Sequence, residues 1–307
     1  MAFDTVLLPT DGSDSAGAAA ARGFDLALQL DAPVHGLSVA NSGLATSATY
    51  VGDASRIRER LREQATQHVN RLDTAARDRG LDVEPVVREG IPAEEIVTYA
   101  NEQGIDAIAM GTSGRGGVAR MVVGSVTDKV VRTATVPVLS VNRRAVGDGG
   151  ERFESILLPT DGSDPAEAAA TRGVELAERL GATVHCFSVA DEGIAGELEA
   201  LMTGRDRGSV DSLIDEAADN IDRVVATAID CDVDCVSATA TGDPAEEIVA
   251  YAEAQNLDLI VMGTHGRGGF RRAVVGSVTD DVIRTATVPV LSVGATGDAA
   301  GNDGEHQ

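Results

Sequence analysis

Short apolar runs alternate with longer stretches of helical periodicity along the first half of the chain. The apolar runs are rich in β-branched residues and predict five strands, at Thr5–Leu8, Val34–Val39, Val83–Arg88, Ile105–Met110 and Val136–Val141. Amphipathic stretches between them predict helices over 13–30, about 54–79, from 92 onward and over 125–133. This alternation is typical of parallel βαβ units, whose right-handed crossovers give a doubly wound, Rossmann-like α/β fold.

Residues at the expected element ends agree with these helices and strands. The strand runs are nearly continuous in apolar residues, as expected when helices cover both faces of a sheet. Pro92 suits the first position of a helix, because its missing N–H needs no partner there. In the second half, Asp243 and Glu246 predict an N-cap with a capping box, whereas Ile91 stands at the corresponding cap in the first half.

The second half of the chain repeats the first. Leu7–Asp14 returns unchanged at Leu157–Asp164, an offset of 150 residues. Three further segments return at an offset of 152: Pro92–Val97 at Pro244–Val249, Val123–Asp128 at Val275–Asp280, and Thr133–Val141 at Thr285–Val293. One domain is therefore used twice. We expect domains at 1–142 and 152–294, a linker at 143–151 and a flexible tail at 295–307.

Composition is that of a folded protein of two domains. The 307 residues fit two domains of roughly 150 residues each. Hydrophobic residues make up 43%, and no apolar run approaches the roughly 20 residues that a membrane helix needs. The start of the chain lacks the basic and apolar regions of a signal peptide, and three cysteines are too few for a disulfide framework. These features predict a cytoplasmic protein with no membrane insertion.

Charge narrows the classes of partner. The chain has 49 acidic and 25 basic residues, a net charge of −24, and Lys129 is its only lysine. Such an excess disfavours nucleic acid and anionic membranes as partners, since both are held through Lys and Arg. An acidic surface nearly without lysine also suggests a salt-rich, halophilic cytoplasm. Most of the excess lies in residues 151–307, which carry 30 acids and 10 bases.

Candidate chemistry lies where the strands of such a sheet end. In doubly wound folds ligands bind beyond the carboxyl ends of the strands, where the strand order reverses. The turn after strand four has the spacing Gly111-x2-Gly114-x9-Gly124-Ser125, and the second half repeats it as Gly263-x2-Gly266-x9-Gly276-Ser277. Glycines let the backbone approach a ligand closely, and successive amides can form an anion nest. The helix start at Gly124 adds free amides where its dipole favours a phosphate.

Charged residues near these turns can complete such a site. Arg115 and Arg267 stand beside the glycines and can cap a phosphate. Asp11 and Asp161 follow the first strand of each copy. Each can accept a hydrogen bond from a ribose hydroxyl or hold a cation such as Mg²⁺ between its carboxylate and phosphates.

These residues resemble the universal stress protein family in its tandem-domain form. The resemblance is carried by Val6–Ser13, by Met110-Gly111-Thr112 and by the glycine signature in both copies, and it covers 3–141 and 153–293. It implies two open sheets of five parallel strands in the order 3-2-1-4-5, and ATP bound by members that carry the glycine signature. Thr10 and Thr160 stand where the family often has Val.

The resemblance also implies the residues that meet the nucleotide. Aspartates face the ribose or phosphates, the backbone at Val39 and Val189 faces the adenine, and the glycine turns surround the phosphates. In the first copy the implied set is Pro9, Thr10, Asp11, Val39, Gly111, Thr112, Gly114, Arg115, Gly124, Ser125 and Val126. In the second copy it is Pro159, Thr160, Asp161, Val189, Gly263, Thr264, Gly266, Arg267, Gly276, Ser277 and Val278.

Three functions fit this pattern. The first is an ATP-, ADP- or AMP-binding stress-response or signalling protein whose output is conformational rather than catalytic. The second is a slow ATPase or phosphotransfer enzyme, for which Asp11 or Asp161 is the candidate base without the second acid or lysine that such chemistry normally uses. The third is a module for an unidentified protein partner that binds no nucleotide. A Walker A loop is excluded, because the only lysine does not follow a glycine.

Several residues outside this pattern favour structural roles. His35 and His185 match across the copies and are expected to pack within the second strand. Cys186, Cys231 and Cys235 lack a fourth ligand at zinc spacing and are expected to be buried strand cysteines.

The last strand of each copy predicts how the copies assemble. An apolar edge strand is an aggregation risk unless it is paired. The simplest arrangement is an intramolecular pseudo-dimer in which Val136–Val141 and Val288–Val293 cover each other. A dimer of chains is a further arrangement that the charges allow. In it the helix at about 54–79, which is rich in Arg, would contact its acidic counterpart around Asp211–Asp222 in the second copy.

Overall fold

The structure is a computed structural model of the chain. It describes residues 3–42, 51–112, 123–145, 152–191, 210–264 and 275–294, with all side chains except those of 51–54 and 210–212.

Each copy alternates strands and helices as the hydrophobic pattern predicts. The first copy comprises β1 (Val6–Pro9), α1 (Asp14–Leu30), β2 (Val34–Asn41), α2 (Val51–Arg77), β3 (Val83–Gly90), α3 (Pro92–Gln103), β4 (Ala107–Gly111), α4 (Ser125–Thr133) and β5 (Val138–Val141). The second comprises β6 (Ser155–Pro159), α5 (Asp164–Leu180), β7 (Thr183–Asp191), α6 (Val210–Asp230), β8 (Cys235–Gly242), α7 (Pro244–Ala254), β9 (Leu259–Gly263), α8 (Ser277–Thr285) and β10 (Val290–Val293).

All strands join one sheet in the order β3-β2-β1-β4-β5-β10-β9-β6-β7-β8. Within each copy the neighbours are parallel, and the order 3-2-1-4-5 predicted from the sequence is confirmed. The copies meet where β5 and β10 pair antiparallel, with Leu139 opposite Leu291. Because the junction is antiparallel, the carboxyl ends of the strands point in opposite directions in the two copies. Sites at the carboxyl ends of the strands in the two copies therefore face in opposite directions along the strand axis.

Helices cover both faces of the sheet, and each face has its own apolar core. One core joins β-strand side chains such as Leu8 and Leu158 to residues of α1, α2, α5 and α6. The other joins Leu7, Leu37 and Leu157 to residues of α3, α4, α7 and α8. The cores continue across both copies, because β5 and β10 contribute buried residues to each. Alternate residues of one strand therefore serve opposite layers, as the period of two requires.

Side chains of the first copy bond to backbone groups of the second. The Asn142 amide, just after β5, donates to the carbonyl oxygens of Ile283 (2.9 Å) and Ala286 (2.8 Å) at the end of α8. The Gln29 amide on α1 donates to the carbonyl oxygen of Phe153 (3.1 Å) and accepts from the Phe153 N–H (2.9 Å). These buried or part-buried bonds satisfy backbone groups that would otherwise be left without partners at the junction.

Element ends differ from the predicted ones in a few places. The last strand of each copy begins two residues later than predicted, at Val138 and Val290, directly after a proline that has no N–H to donate. The expectation for Cys231 was wrong: it lies in the turn after α6 and is only partly buried. Cys235 begins β8 but is likewise partly buried, whereas Cys186 on β7 is buried as expected.

Candidate functional site

The loop after β1 is built from its own short polar residues. The Thr10 N–H donates to the carbonyl oxygen of Leu37 on β2 (2.8 Å), and the Gly12 N–H donates to Thr10 Oγ1 (3.1 Å). The Ser13 N–H donates to Asp11 Oδ1 (3.0 Å). Turns of this kind, in which a side-chain oxygen accepts from the N–H two residues on, are typical of Asp and Thr. They hold the half-buried Asp11 carboxylate at the carboxyl end of β1.

A buried histidine supports this loop from α2. Gly12 has a φ of +75°, and a β-carbon built on it would lie 2.5 Å from Cδ2 of His68. The Ser38 hydroxyl donates to the carbonyl oxygen of Thr10 (2.7 Å) and lies 3.4 Å from His68 Nδ1. The loop has no room for a side chain at Gly12, because the imidazole fills that space.

The second copy builds the same loop on a different support. The Gly162 N–H donates to Thr160 Oγ1 (3.1 Å), and the Ser163 N–H donates to Asp161 Oδ1 (3.1 Å). Gly162 has the same φ of +75°, but its β-carbon would meet Oδ1 of Asn220 at 2.0 Å. Asn220 takes the place of His68 and is also buried. The loop geometry is therefore shared, while the supporting side chain is neutral in one copy and titratable in the other.

The turn after β4 lies beside the loop after β1, because the two strands are parallel neighbours. A β-carbon on Gly111 would lie 2.4 Å from Oγ and 2.5 Å from the carbonyl oxygen of Ser15 on α1. Only glycine fits there without a backbone shift. The Gly111 carbonyl oxygen in turn accepts from the Thr127 hydroxyl (2.7 Å) of α4. Gly111 is thus held between the first turns of two helices.

The start of α4 closes onto the same turn. The Gly124 N–H donates to the carbonyl oxygen of Thr112 (2.5 Å), and the Thr112 N–H donates to the carbonyl oxygen of Val141 (3.0 Å). Gly124 is the N-cap of α4, and no side chain there bonds to the first amides of the helix. Ser125, the first residue of the helix, is exposed. Helix-start amides carry a partial positive charge, so this position favours an anion.

The second copy reproduces this closure. The Gly276 N–H donates to the carbonyl oxygen of Thr264 (2.7 Å), and the Thr279 hydroxyl donates to that of Gly263 (2.8 Å). Gly276 caps α8 without a side-chain bond, and Ser277 is exposed. The two copies therefore present the same combination of loop, glycine turn and helix start.

Most of the predicted residues come together at these carboxyl ends. Val39 and Val189 lie near the ends of β2 and β7, half-buried and beside the loop after the first strand of their copy. Val126 and Val278 follow the exposed serines in the first turns of α4 and α8. Gly114, Arg115, Gly266 and Arg267 lie outside the described residues.

Four contributors to this geometry were not predicted. His68, Asn220, Thr127 and Thr279 each bond to or pack against the backbone of a predicted residue. The sequence carried a partial signal for the two threonines, because one lies in Val123–Asp128 and the other in the repeat of that segment in the second copy. His68 and Asn220 gave no signal, since the copies differ there and the long helix places them beside the loop only after folding.

The two histidines that match across the copies bond to tyrosines and not to the described residues of the candidate site. His35 Nδ1 is 2.7 Å from the Tyr99 hydroxyl, and His185 Nδ1 is 3.1 Å from the Tyr251 hydroxyl. Burial lowers the pKa of His185. In the described part of the chain, no group of three or more His, Cys, Asp or Glu is placed to hold a metal ion. None of the helices described is long and apolar enough to cross a membrane.

The fold and these turns define a tandem doubly wound α/β protein with the same loop, glycine turn and helix start at the strand ends of both copies. The model of the universal stress protein family matches residues 2–142 and again 152–294. The chain therefore belongs to the universal stress protein family and carries two family domains in tandem.

Curated relatives include proteins of the same tandem length. The universal stress protein Rv2005c of Mycobacterium tuberculosis is 27% identical over 295 residues, which cover 93% of this chain and 95% of that protein. The universal stress protein MJ0531 of Methanocaldococcus jannaschii is 32% identical over 141 residues, which cover 46% of this chain and 83% of that protein. A solved universal stress protein from Archaeoglobus fulgidus superposes with a TM-score of 0.71 at 21% identity, covering 97% of this chain and all of that one. That last likeness establishes the fold.

Proposed function

We propose that each copy binds one adenine nucleotide, with ATP as the first candidate, and that the protein acts in stress response or signalling through a conformational output. The carrying observation is the start of α4, which Gly124 caps without a side-chain bond beside the loop after β1. The same arrangement recurs at the start of α8. A phosphate bound there would accept from amides that the cap residue, a glycine without a side chain, leaves unoccupied.

The neighbouring residues suit the rest of a nucleotide. Asp11 and Asp161 are held at the strand ends by bonds to Ser13 and Ser163, which fixes each carboxylate for a ribose hydroxyl or a phosphate-bound Mg²⁺. The backbone near Val39 and Val189 would face the adenine, as the family resemblance implies. We extend the phosphate contacts to Gly114, Arg115, Gly266 and Arg267 on their place in the signature alone.

A catalytic output is less well supported by the described residues. Phosphoryl transfer needs positioned charges that stabilise the transferring group. The only lysine, Lys129, forms an ion pair with Glu94 at 2.8 Å on the outer surface of α4 and α3. Asp11 and Asp161 are part of their own loop turns. We therefore propose nucleotide binding as the function and treat slow hydrolysis as an outcome of the test.

A charge placed at the helix start tests the site without weakening the helix. We expect the wild-type protein to bind two nucleotides per chain by equilibrium dialysis with labelled ATP. Ser125→Asp should reduce this to one, because a carboxylate at that position repels a phosphate while stabilising the first turn. Ser277→Asp should do the same for the other copy, and the double variant should bind none.

Two outcomes would contradict this proposal. Unchanged stoichiometry in both single variants would remove the helix starts from the site. Wild-type protein that binds no ATP, ADP or AMP would remove the function itself. Single-turnover hydrolysis on the same samples separates binding from catalysis: recovery of intact ATP over many hours supports a conformational output, and stoichiometric ADP formation supports an ATPase.

A further inference from the structure

The ten-stranded sheet ends in two strands that differ in how they are protected. Within the described residues, β3 bonds only to β2, and β8 bonds only to β7. An unpaired strand edge can accept a further strand, and proteins that avoid this place charges or proline on the edge. The two edges of this sheet are homologous positions of the two copies, so they can be compared residue by residue.

The β3 edge carries such protection. Its sequence includes Pro85, which has no N–H to offer to another strand, and the charged residues Glu84, Arg88 and Glu89. Arg88 forms ion pairs with Glu95 at 3.5 Å and with Glu102, which keep its charge at the strand. An incoming strand would have to displace these groups. The β3 edge is therefore a poor template for pairing.

The β8 edge has lost every one of these features. At the positions of the proline and the three charges it carries Ser237, Val236, Ala240 and Thr241, and the strand has no charged residue at all. Val236 is 46% exposed, although it is a large apolar side chain. Ser237, Thr239 and Thr241 are exposed as well, so the outer side of the strand is accessible. Val and Thr favour extended pairing, which makes β8 a good template.

The surroundings of β8 are acidic and apolar. Residues 210–243 carry nine Asp or Glu and a single Arg, whereas the matching residues 58–91 carry seven acids and seven arginines. Among the described residues, the exposed large apolar side chains include Ile214 and Ile229 of α6 as well as Val236. The charge selects a basic partner and disfavours a second copy of this same acidic face.

We propose that β8 is a docking site for an extended, basic segment of another protein, which adds to the sheet as an eleventh strand. Backbone hydrogen bonds to the β8 edge supply the affinity, as in other strand-addition complexes. Alternate side chains of the added strand point to the two helix layers, where Ile229 and Val236 offer apolar contact. Lys and Arg in the segment pair with the acids around β8. This site is separate from the proposed nucleotide sites and does not depend on them.

A synthetic peptide tests the docking site on the intact chain. The probe matches β8 in length, at eight residues, and alternates Val with Lys and Arg. We expect it to bind and to protect the amides of 235–242 from hydrogen exchange, as read by mass spectrometry. A second probe carries the same charges but has N-methyl groups on the amides of one edge. We expect it to bind about tenfold or more weakly, because it cannot form the ladder.

The other edge of the sheet supplies the matched variant. The fold should tolerate replacement of the four β8 residues by their β3 counterparts, since the first copy already carries these residues at the same positions. The variant is Val236→Glu, Ser237→Pro, Ala240→Arg and Thr241→Glu, and we expect it to lose peptide binding and the exchange protection. Equal binding to this variant, equal binding of the N-methylated probe, or protection elsewhere would overturn the proposal. Sedimentation that shows wild-type chains dimerising through β8, with the peptide unable to bind, would overturn it in favour of self-association.

Discussion

Gly12 has a left-handed backbone conformation, and the space where its β-carbon would lie is filled by His68. Gly17, five residues later, has neither constraint. Gly12→Ala places a β-carbon 2.5 Å from the His68 ring at a φ of +75°. We expect it to destabilise the protein by about 2 kcal/mol, from backbone strain and overlap together. Gly17→Ala is the control, since nothing lies within 4 Å of its β-carbon inside α1. It should stabilise by up to about 1 kcal/mol, because alanine is the better helix former.

Urea unfolding measures both effects. If both alanine variants shift the free energy of unfolding in the same direction, the close approach of His68 to the loop is wrong. His68→Asn, which installs the side chain found at the matching position in the second copy, should be tolerated far better than Gly12→Ala.

Cys186 is expected to resist alkylation in the folded protein. Burial, with a further contribution from Cys235, raises the pKa of the Cys186 thiol to about 12. The reactive form is the thiolate, so at pH 8 almost none of it exists at this position. Iodoacetamide followed by mass spectrometry should label the partly exposed Cys231 and Cys235 and leave Cys186 free, whereas in denaturant all three react. Labelling of Cys186 at the rate of the other two would contradict its burial.

At the level of single residues, the sequence predicted where the motif residues lie but not which buried side chain packs against them. Asp11, Gly111 and Gly124 are where the repeated motifs place them, because each lies within a few residues of a strand or helix end. The support from His68 depends on how α2 crosses the sheet, and a single residue 56 positions from Gly12 carries no local signal for that. Comparing the copies did not help, because the second copy uses Asn220.

The helix starts after β3 and β8 form a natural pair of capped and uncapped helices. Asp243 accepts from the N–H groups of Ala245 (3.0 Å) and Glu246 (3.1 Å). Ile91 makes no such bond and is 49% exposed at the matching position. We expect Asp243→Ala to destabilise by about 1 kcal/mol and Ile91→Asp to stabilise by a similar amount.

Thermal unfolding of the two variants and their combination measures this pair. Because the sites lie in different copies, the two effects should add. A destabilising Ile91→Asp would show that the isoleucine has a packing role that its exposure does not suggest.

Elements were predicted with correct type and order, and the differences follow from packing. Helix starts at prolines and caps were accurate, since those residues act locally. Strand ends were less accurate: Val136 is as apolar as β5, but the strand begins only after Pro137, which has no N–H to donate. β3 and β8 are more exposed than the inner strands, because each has a neighbouring strand on one side only within the described residues.

The helix cap that Asn142 provides across the junction has no counterpart in the other direction. Asn142 caps the end of α8 with two bonds, and its counterpart after β10 is Gly294. A β-carbon on Gly294 would lie 3.5 Å from the carbonyl oxygen of Ala134, the counterpart of Ala286. We expect Asn142→Ala to destabilise by about 2 kcal/mol, because buried carbonyls lose their partner. Gly294→Asn should stabilise by about 1 kcal/mol by completing the symmetric bond.

Calorimetry on the full chain measures the junction variants. One cooperative transition is expected in each, since the sheet and both cores run through the junction. Separate transitions for the two copies in Asn142→Ala would show that this side chain couples them. No change in either variant would contradict the described bonds.

The charge of the whole molecule predicts its response to salt. The net charge is −24, so the excess acidic side chains repel one another at low ionic strength, and salt screens that repulsion. We expect the Tm to rise from low salt to multimolar KCl. A Tm that falls with KCl would remove the prediction of a salt-rich cytoplasm and leave the fold and the sites untouched.

The antiparallel pairing of β5 with β10 has a consequence for behaviour on dilution. Two separate chains that shared such an edge would part at low enough concentration, whereas here the linker keeps the two strands at a fixed effective concentration. The exposed edge that pairing removes therefore stays hidden at any protein level in the cell. The Tm should likewise be independent of protein concentration. The two proposed nucleotide sites keep their opposed placement even when only a few molecules are present.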